Sequence, residues 1–312
     1  MAVKPLFLLL EAHGLAADRL HADDTTVPLL AKLKTSVARI WDYVRDDRPF
    51  GGTAPPVALC YYSSDRRGER PRAHLAGYTG ILQVDRYASF NALFEDGRSD
   101  KPMTRANCCV HARREFFKLV DIRQQLKSRK KGAAPLVSPL ASEALEIIDR
   151  LFAIERDITG KPAAERLAVR QERSAPIVAE LETWMRETRN KLSRHDAVAK
   201  AIAYLQNDWD GFTTFLADGR ICLSNNAAER QLRSVARGRK AWLFVGSDRG
   251  GQRAAMMFSL FGTARLNDVD PLAWFTDVLA KIADIPQSRL HELLPWHWKE
   301  SQLLQQTDEI AA

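Results

Sequence analysis

The chain has 312 residues, of which 46% are hydrophobic and 27% charged, and its 46 lysines and arginines against 39 acidic residues give a formal charge of +7. A chain of this length and composition forms a sizeable core, so a small disulfide-stapled scaffold is excluded, and neither disorder nor membrane burial has support. The positive charge favours a polyanion such as nucleic acid as a partner, although many basic proteins bind none.

The N-terminal region holds a short apolar run at residues 6–10. Glu11 ends this run below the ~7 residues that a signal peptide needs. No segment of the chain approaches the ~18 apolar residues of a membrane span. We therefore expect neither a leader nor a membrane partner.

Short strand-like runs fill the first third of the chain. Turn signals such as Gly51-Gly52 and Pro55-Pro56 separate them, as expected of a sheet built early in the chain. The predicted strands are residues 20–26, 40–44, 57–62, 80–85 and 106–110.

The first of these strands ends in two acids, Asp23 and Asp24. Because side chains alternate along a strand, His21 and Asp23 are expected to share one face, while Asp24 points elsewhere. On spacing alone, an acid pair that simply ends a strand is the ordinary interpretation.

Asp85 ends the fourth predicted strand, where Leu82 and Val84 are expected on one face and Gln83 and Asp85 on the other. A carboxylate left desolvated on a buried strand costs several kcal/mol. Asp85 therefore needs a partner or a metal, and it is a stronger candidate for a functional residue than Asp23.

The cysteines bear on metal binding and on the compartment. Cys108 and Cys109 precede His111 and could supply part of a metal site, but no second cysteine pair completes a zinc knuckle, so cysteines buried at a strand end are the preferred interpretation. With Cys60 and Cys222 they form no disulfide framework, which favours a reducing cytoplasm.

From residue 111 to residue 216 the hydrophobic pattern is helical. Stripes such as the one formed by Leu145 and Ile148 are assigned to core packing. A basic segment at residues 127–132 is interpreted as a solvated linker rather than a phosphate contact. A turn at Asp218-Gly219 then leads to a short extended segment at residues 221–223.

Glu229 lies at the predicted start of a further helix. Asn226, three residues earlier, gives it capping-box geometry, so the pattern alone does not separate a helix cap from a metal ligand. The same helix carries Arg230, Arg233 and Arg237 on one stripe, which suits phosphate groups or simply solvent.

More basic residues follow. Arg239 and Lys240 precede a turn, and Arg249 and Arg253 flank Gly250-Gly251 at the start of another helix. Basic residues beside a flexible glycine pair and a helix start suit phosphate binding, and a surface hairpin with ordinary charges is the alternative.

Taken together, the chain resembles the DDE transposases of the insertion sequence 66 family. The resemblance covers nearly the whole chain, with matching stretches in the same order: residues 21–23, 41–52, 65–69, 82–87, 111–114, 168–174, 225–233, 238–244 and 246–253.

The resemblance implies an α/β fold: an RNase H-like mixed sheet flanked by helices, with a large helical insertion between the second Asp and the Glu. It divides the chain into the first part of the catalytic core (1–125), the helical insertion (126–218), the rest of the core with the Glu-bearing helix (219–285) and a C-terminal helical tail (286–312).

The resemblance also implies that Asp23, Asp85 and Glu229 are the catalytic triad and bind two Mg²⁺ or Mn²⁺ ions. Three converging carboxylates repel each other without cations, and hard oxygen ligands favour Mg²⁺ over zinc. The implied activity is metal-dependent nicking and strand transfer of an insertion sequence, with water or a DNA 3′-hydroxyl attacking phosphorus.

The implied partners are DNA, both element ends and target, a second copy of the chain in a homo-oligomer, and accessory proteins of the same element. Seven basic residues are assigned to DNA binding: Arg230, Arg233, Arg237, Arg239, Lys240, Arg249 and Arg253.

Two residues depart from the family pattern. Asp24 replaces a Glu, and Arg86 replaces the Gly that commonly follows the second Asp, so a long cation is expected beside the metal site, where it competes with metal or contacts DNA.

Only about twenty residues precede Asp23, so the chain looks truncated and without the family's end-recognition region. The alternative function is therefore a catalytically silent remnant that binds DNA non-specifically or interferes with transposase assembly.

Overall fold

The structure is a computed structural model that describes residues 2–32, 34–86, 88–95, 103–121 and 137–311. The basic segment predicted to be a linker, residues 127–132, lies outside the described residues. No helix in the described part of the chain has the length and apolar character needed to cross a membrane.

A mixed sheet of five strands forms the centre of the fold. The strands are β1 (Arg19–Ala31), β2 (Lys34–Arg45), β3 (Val57–Ser63), β4 (Ile81–Val84) and β5 (Thr104–Asn107). Their order is β3-β2-β1-β4-β5, with antiparallel pairing among the first three and parallel pairing of β1 with β4 and of β4 with β5. The prediction of an α/β fold with a mixed sheet is confirmed.

Helices account for most of the remaining described residues. The α-helices are α1 (Lys4–Leu15), α2 (Glu69–His74), α3 (Cys109–Phe117), α4 (Pro139–Ile158), α5 (Ala163–Val169), α6 (Ala175–Lys191), α7 (Ala197–Gln206), α8 (Trp209–Thr213), α9 (Asn226–Trp242), α10 (Asp248–Leu266), α11 (Pro271–Lys281) and α12 (Pro295–Ala311). A π-helical turn, Arg170–Ser174, joins α5 to α6.

Polar side chains begin several of these helices. The Oγ atom of Ser138 accepts a hydrogen bond from the N–H of Ala141 at the start of α4, and Asp196 does the same for Val198 in α7. Ser247 caps α10 in the same way. Each such cap satisfies a backbone donor that the helix leaves open, which stabilises the start by about 1 kcal/mol.

The sheet separates two apolar layers. On one face, Leu6 and Leu10 of α1 pack in a buried cluster that includes Trp41 and Leu59. On the other, Leu232 and Val235 of α9 and Ala255 of α10 pack against Val27 and Ile40. A separate core holds the helices from α3 to α8, where Leu145 and Ile148 are buried, which confirms that their stripe is a packing surface.

Three details differ from the sequence-based expectation. The apolar run at residues 6–10 belongs to the helix α1, which buries one of its faces. A run this short did not predict a buried helix. β5 ends at Asn107 and α3 begins at Cys109, so the strand predicted at 106–110 is too long.

Residues 221–223 form no strand. Their backbone groups instead bond to side chains: the carbonyl of Ile221 accepts from Arg166, and the N–H of Cys222 donates to the Oε1 atom of Gln83. The sequence pattern does not predict this arrangement, because side chains that bond to the backbone in place of a neighbouring strand leave no periodic signal.

Two buried arginines connect the helical region to the segment before α9. Arg166 and Arg170 are 1% and 0% exposed. Both donate to the carboxylate of Glu155, and Arg170 also donates to the carbonyls of Phe215 and Asp218 at 3.0 Å each. These charged hydrogen bonds fix the chain path that leads towards Glu229.

We predict that Arg170→Met lowers the free energy of unfolding by about 3–5 kcal/mol, because Glu155 and several carbonyls lose their buried donor. Urea denaturation measures the change. The matched control is Arg173→Met in the same turn, whose partner is Asp157 and whose side chain is 48% exposed. An exposed pair contributes below ~1 kcal/mol, so equal losses in the two variants would contradict the structural role of Arg170.

Candidate active site

β1 carries its two adjacent acids on opposite faces. Asp24 forms an ion pair with Arg39, at 2.5 Å between Oδ2 and Nη1, and so it is directed away from Asp23. The Oδ1 atom of Asp23 accepts a hydrogen bond from the backbone N–H of Asp24 at 2.7 Å. The expected alternation along this strand is therefore present, and Asp24 is neutralised by a partner of its own.

Asp85 directly follows β4, whose first three residues pair in parallel with β1. The hydroxyl of Tyr204 in α7 donates to the Asp85 carbonyl at 3.3 Å. Gln83, on the same face of the strand, is fully buried and donates to the carbonyls of Cys222 and Ser224. The end of β4 is thereby joined to the residues that precede α9.

Arg86 points away from this edge of the sheet. Its guanidinium lies 4.6 Å from the ring centroid of Tyr204 and 3.7 Å from Asp208, and it donates to the Tyr204 carbonyl. Cation–π contact and an ion pair hold this cation against α7 and α8, and its competition with metal or contact with DNA stays a prediction. The backbone of Arg86 has φ +67°, a conformation that favours glycine.

Glu229 lies in the first turn of α9, which begins at Asn226. The residue at the cap position is Asn225, and its side chain makes no capping hydrogen bond to the helix. It is fully buried, and its Nδ2 atom donates to the carbonyl of Ala22 at 2.8 Å. The capping-box interpretation of Glu229 is thus not borne out: the polar residues at this helix start face β1 and α3.

His21 provides the second contact between β1 and Asn225. The Nη1 atom of Arg19 donates to Nε2 of His21 at 2.7 Å, so the ring carries its proton on Nδ1 and donates to Oδ1 of Asn225 at 3.1 Å. Burial, followed by the charge of Arg19, lowers the pKa of His21, which keeps the ring neutral.

His111 and Cys108 face Glu229 from the start of α3. The Nε2 atom of His111 lies 3.7 Å from Oε1 of Glu229. Cys108, His111 and Glu229 each place one donor atom within 4.8 Å of the other two. The buried Oε1 of Glu229 and Nδ1 of His111 have no hydrogen-bond partner among the described residues.

Asp23 lies close enough to the other two predicted acids for their charges to affect it. Burial, then repulsion from Asp85 and more weakly from Asp24 and Glu229, raises the pKa of Asp23 to about 8. Burial also raises the pKa of Asp85, opposed mainly by the charge of His111. A metal ion would relieve both effects, since it replaces lost solvation and neutralises converging negative charge. With the unpartnered Glu229 oxygen, the donor set fits a hard divalent cation.

The predicted basic residues fall into two groups. Arg230, Arg233 and Arg237 are exposed along the outer face of α9, and Arg249 and Arg253 are exposed at the start of α10. Arg239 differs, since its guanidinium donates to the carbonyl and the hydroxyl of Thr26 on β1. The side chain of Lys240 lies outside the described part of the chain.

Sequence reasoning did not identify Asn225 and Gln83, two buried amides that bond to backbone carbonyls. A polar residue on a buried strand was the available signal for Gln83, and it was applied only to Asp85. His111 was considered with two cysteines, whereas the structure groups it with Glu229, far away in the sequence.

We predict that the metal-free chain loses stability as pH rises from 3.8 to about 8. The folded chain holds the Asp23 proton across this window, whereas the unfolded chain releases it near pH 3.8, so rising pH favours unfolding. The contribution is up to roughly 5 kcal/mol.

Urea denaturation in the presence of EDTA, at several pH values, measures this slope. The Asp23→Asn variant has no such titration, so its stability should fall less steeply, and saturating Mg²⁺ should flatten the slope of the unaltered chain. Parallel pH profiles for the two chains would rule out a raised Asp23 pKa.

The chain matches two family descriptions in sequence: the transposase IS66 family over residues 1–253 and the IS66 C-terminal element over residues 259–296. No solved structure matches significantly.

The chain is similar to three uncharacterized proteins of Sinorhizobium fredii (strain NBRC 101917 / NGR234). It is 55% identical to y4hP over 96% of this chain and 54% of that protein. It is 36% identical to y4jD over 96% of this chain and 58% of that protein. It is 37% identical to y4qI over 90% of this chain and 51% of that protein. The chain thus spans about half the length of these relatives. It belongs to the IS66 family of transposases.

Proposed function

We propose that this chain is the catalytic region of a DNA transposase that nicks and joins DNA with divalent metal ions held by Asp23, Asp85 and Glu229. One observation carries the proposal. Three acids from β1, the end of β4 and the start of α9 lie close enough for Asp85 and Glu229 to raise the pKa of Asp23. Such repulsion on Asp23 is costly in a metal-free core and is relieved by cations.

The architecture supports an RNase H-like core. The mixed five-stranded sheet has packed helices on both faces. Asp23 lies on β1, and Asp85 directly follows the adjacent parallel strand β4. The helices from α4 to α8 lie between Asp85 and Glu229 in sequence and have their own apolar core. We assign them to a helical insertion within the catalytic core.

The residues of the site divide the work between metal binding and orientation. Asp23, Asp85 and Glu229 would hold two Mg²⁺ or Mn²⁺ ions, which supply activation of the attacking oxygen and stabilisation of the leaving oxygen during in-line displacement at phosphorus. Asn225 and His21 fix the start of α9 relative to β1. The ion pair with Arg39 partly offsets the charge of the neighbouring Asp24, which still adds to the repulsion on Asp23.

DNA is the proposed substrate, and exposed arginines along α9 supply its binding surface. Arg230 lies next to Glu229 and, with Arg156 and Arg166, lines a cleft beside the start of this helix. Phosphate groups that follow Arg230, Arg233 and Arg237 would approach the acids along the helix axis. Such contacts position the backbone without reading sequence. We propose pairing of two copies on DNA and accessory proteins of the element as further partners.

A second candidate is a silent remnant that binds DNA without cutting it. It shares the fold and the basic surface with the first proposal, so only catalysis separates the two.

We predict that the purified chain nicks supercoiled DNA in the presence of Mg²⁺ and that Asp85→Ala slows nicking at least about a hundredfold, since each ligand is needed to stabilise the transition state. Gel electrophoresis of the nicked product measures the rate. The matched control is Asp157→Ala, whose side chain is 59% exposed on α4 and which should retain the rate. Equal nicking by the unaltered and Asp85→Ala chains would reject catalysis by this triad, and DNA binding without nicking would identify the silent remnant.

We predict that Arg233→Ala weakens DNA binding uniformly across sequences and reduces the slope of log affinity against log salt by about 0.9, because one phosphate contact is lost. Fluorescence anisotropy at several salt concentrations measures both quantities. The control is Arg289→Ala, which removes an exposed arginine paired with Glu292 far from α9 in sequence. An unchanged slope in Arg233→Ala would exclude a phosphate contact at this residue.

A further inference from the structure

A cysteine, a histidine and a glutamate converge where α3 and α9 begin. Cys108 occupies the cap position of α3, and His111 follows three residues later in its first turn. Residues at these positions lie at one end of a helix, so both side chains are presented together. Glu229 completes the group from α9, with all three donor atoms within 4.8 Å of one another.

The carboxylate of Glu229 is poorly satisfied by the protein itself. The distance of 3.7 Å between His111 Nε2 and Glu229 Oε1 is too long for a hydrogen bond. The buried Oε1 of Glu229 has no hydrogen-bond partner among the described residues. Buried polar atoms of this kind cost free energy unless a ligand or ion satisfies them.

The spacing suits a small tetrahedral ion. Zinc bonds of about 2.0–2.3 Å to nitrogen, oxygen and sulfur place neighbouring ligand atoms roughly 3.3–3.6 Å apart. The His111–Glu229 distance of 3.7 Å is close to that value, and the limit of 4.8 Å on the group leaves only small side-chain movements to complete the geometry. A thiol and an imidazole are ligands that zinc prefers and magnesium does not.

Burial raises the pKa of the Cys108 thiol to about 11, and two features of its surroundings oppose this effect. The backbone N–H of Asn225 donates to Sγ of Cys108 at 3.2 Å, and Cys108 lies at the N-terminal end of α3. Both features stabilise negative charge on sulfur. A donor to a metal-bound sulfur also orients the ligand, as outer-shell contacts do in metal sites generally.

We propose that Cys108, His111 and Glu229 form a binding site for one zinc-like divalent ion, separate in chemistry from the magnesium site but sharing Glu229 with it. Binding releases the thiol proton of Cys108 to solvent, and the three protein ligands leave a fourth position open. Because one carboxylate serves both sites, zinc and magnesium compete for the chain. The proposed site follows from the geometry of these side chains and does not require nicking activity.

The test uses Co²⁺ as a spectroscopic probe and Zn²⁺ as competitor on the full chain. One equivalent of Co²⁺ should produce a thiolate-to-cobalt absorption band, which Zn²⁺ removes and excess Mg²⁺ weakens. Cys108→Ser should abolish the band, and His111→Ala should lower the affinity at least about tenfold. Cys109→Ser, at the neighbouring residue outside the group, is the matched control and should keep the band.

A second measurement needs no substitution. Zn²⁺ should slow alkylation of Cys108 relative to that of Cys222, read by mass spectrometry of proteolytic peptides that contain each cysteine after timed alkylation of the folded chain. Absence of the cobalt band, its persistence in folded Cys108→Ser, or equal alkylation rates with and without Zn²⁺ would overturn the proposed site. A chain that nicks DNA with Mg²⁺ but shows none of these effects keeps the proposed function and loses only the zinc site.

Discussion

The buried amide of Asn225 is the contact on which the candidate site depends. Its side chain bonds to the carbonyl of Ala22 and to the ring of His21, and its backbone N–H donates to Cys108. One residue thereby connects β1, the start of α3 and the start of α9. Because each buried polar group that loses its partner costs about 1–3 kcal/mol, these elements cannot shift apart independently. Asp23 follows Ala22, and Glu229 lies in the first turn of the helix that Asn225 precedes. The contacts of Asn225 therefore also fix the positions of these two acids.

Buried arginine and glutamine side chains hold the segment that precedes α9 in place through hydrogen bonds to its backbone. Asp85 and Glu229 are 229 − 85 = 144 residues apart, yet the chain returns to one edge of the sheet. Arg166 and Arg170 bond to backbone carbonyls just before this edge, and Gln83 bonds to those of the next residues. The entropic cost of closing a loop grows only logarithmically with the length of the loop. A few buried charge-assisted hydrogen bonds therefore suffice to hold this distant segment in place.

The parts of this structure that follow from periodic patterns could be predicted from the sequence. Strands at residues 40–44 and 57–62 and the apolar stripe of Leu145 were predicted and found, since burial imposes a period on strands and helices. The connection of Glu229 to His111 and the roles of Gln83 and Asn225 were not. They depend on single polar contacts between distant residues, which leave no periodic trace, and only family resemblance grouped the three acids.

Arg86 shows how a departure from the family pattern is absorbed by the fold. Its φ of +67° belongs to a conformation that costs a side-chain-bearing residue about 1–2 kcal/mol relative to glycine, the residue commonly found after the second Asp. Stacking on Tyr204 and the ion pair with Asp208 offset this cost and draw the cation away from Asp85. The arginine therefore adds contacts between the end of β4 and the helices α7 and α8, and it does not add a positive charge beside Asp85. It gives no reason to prefer a silent remnant over a catalytic chain.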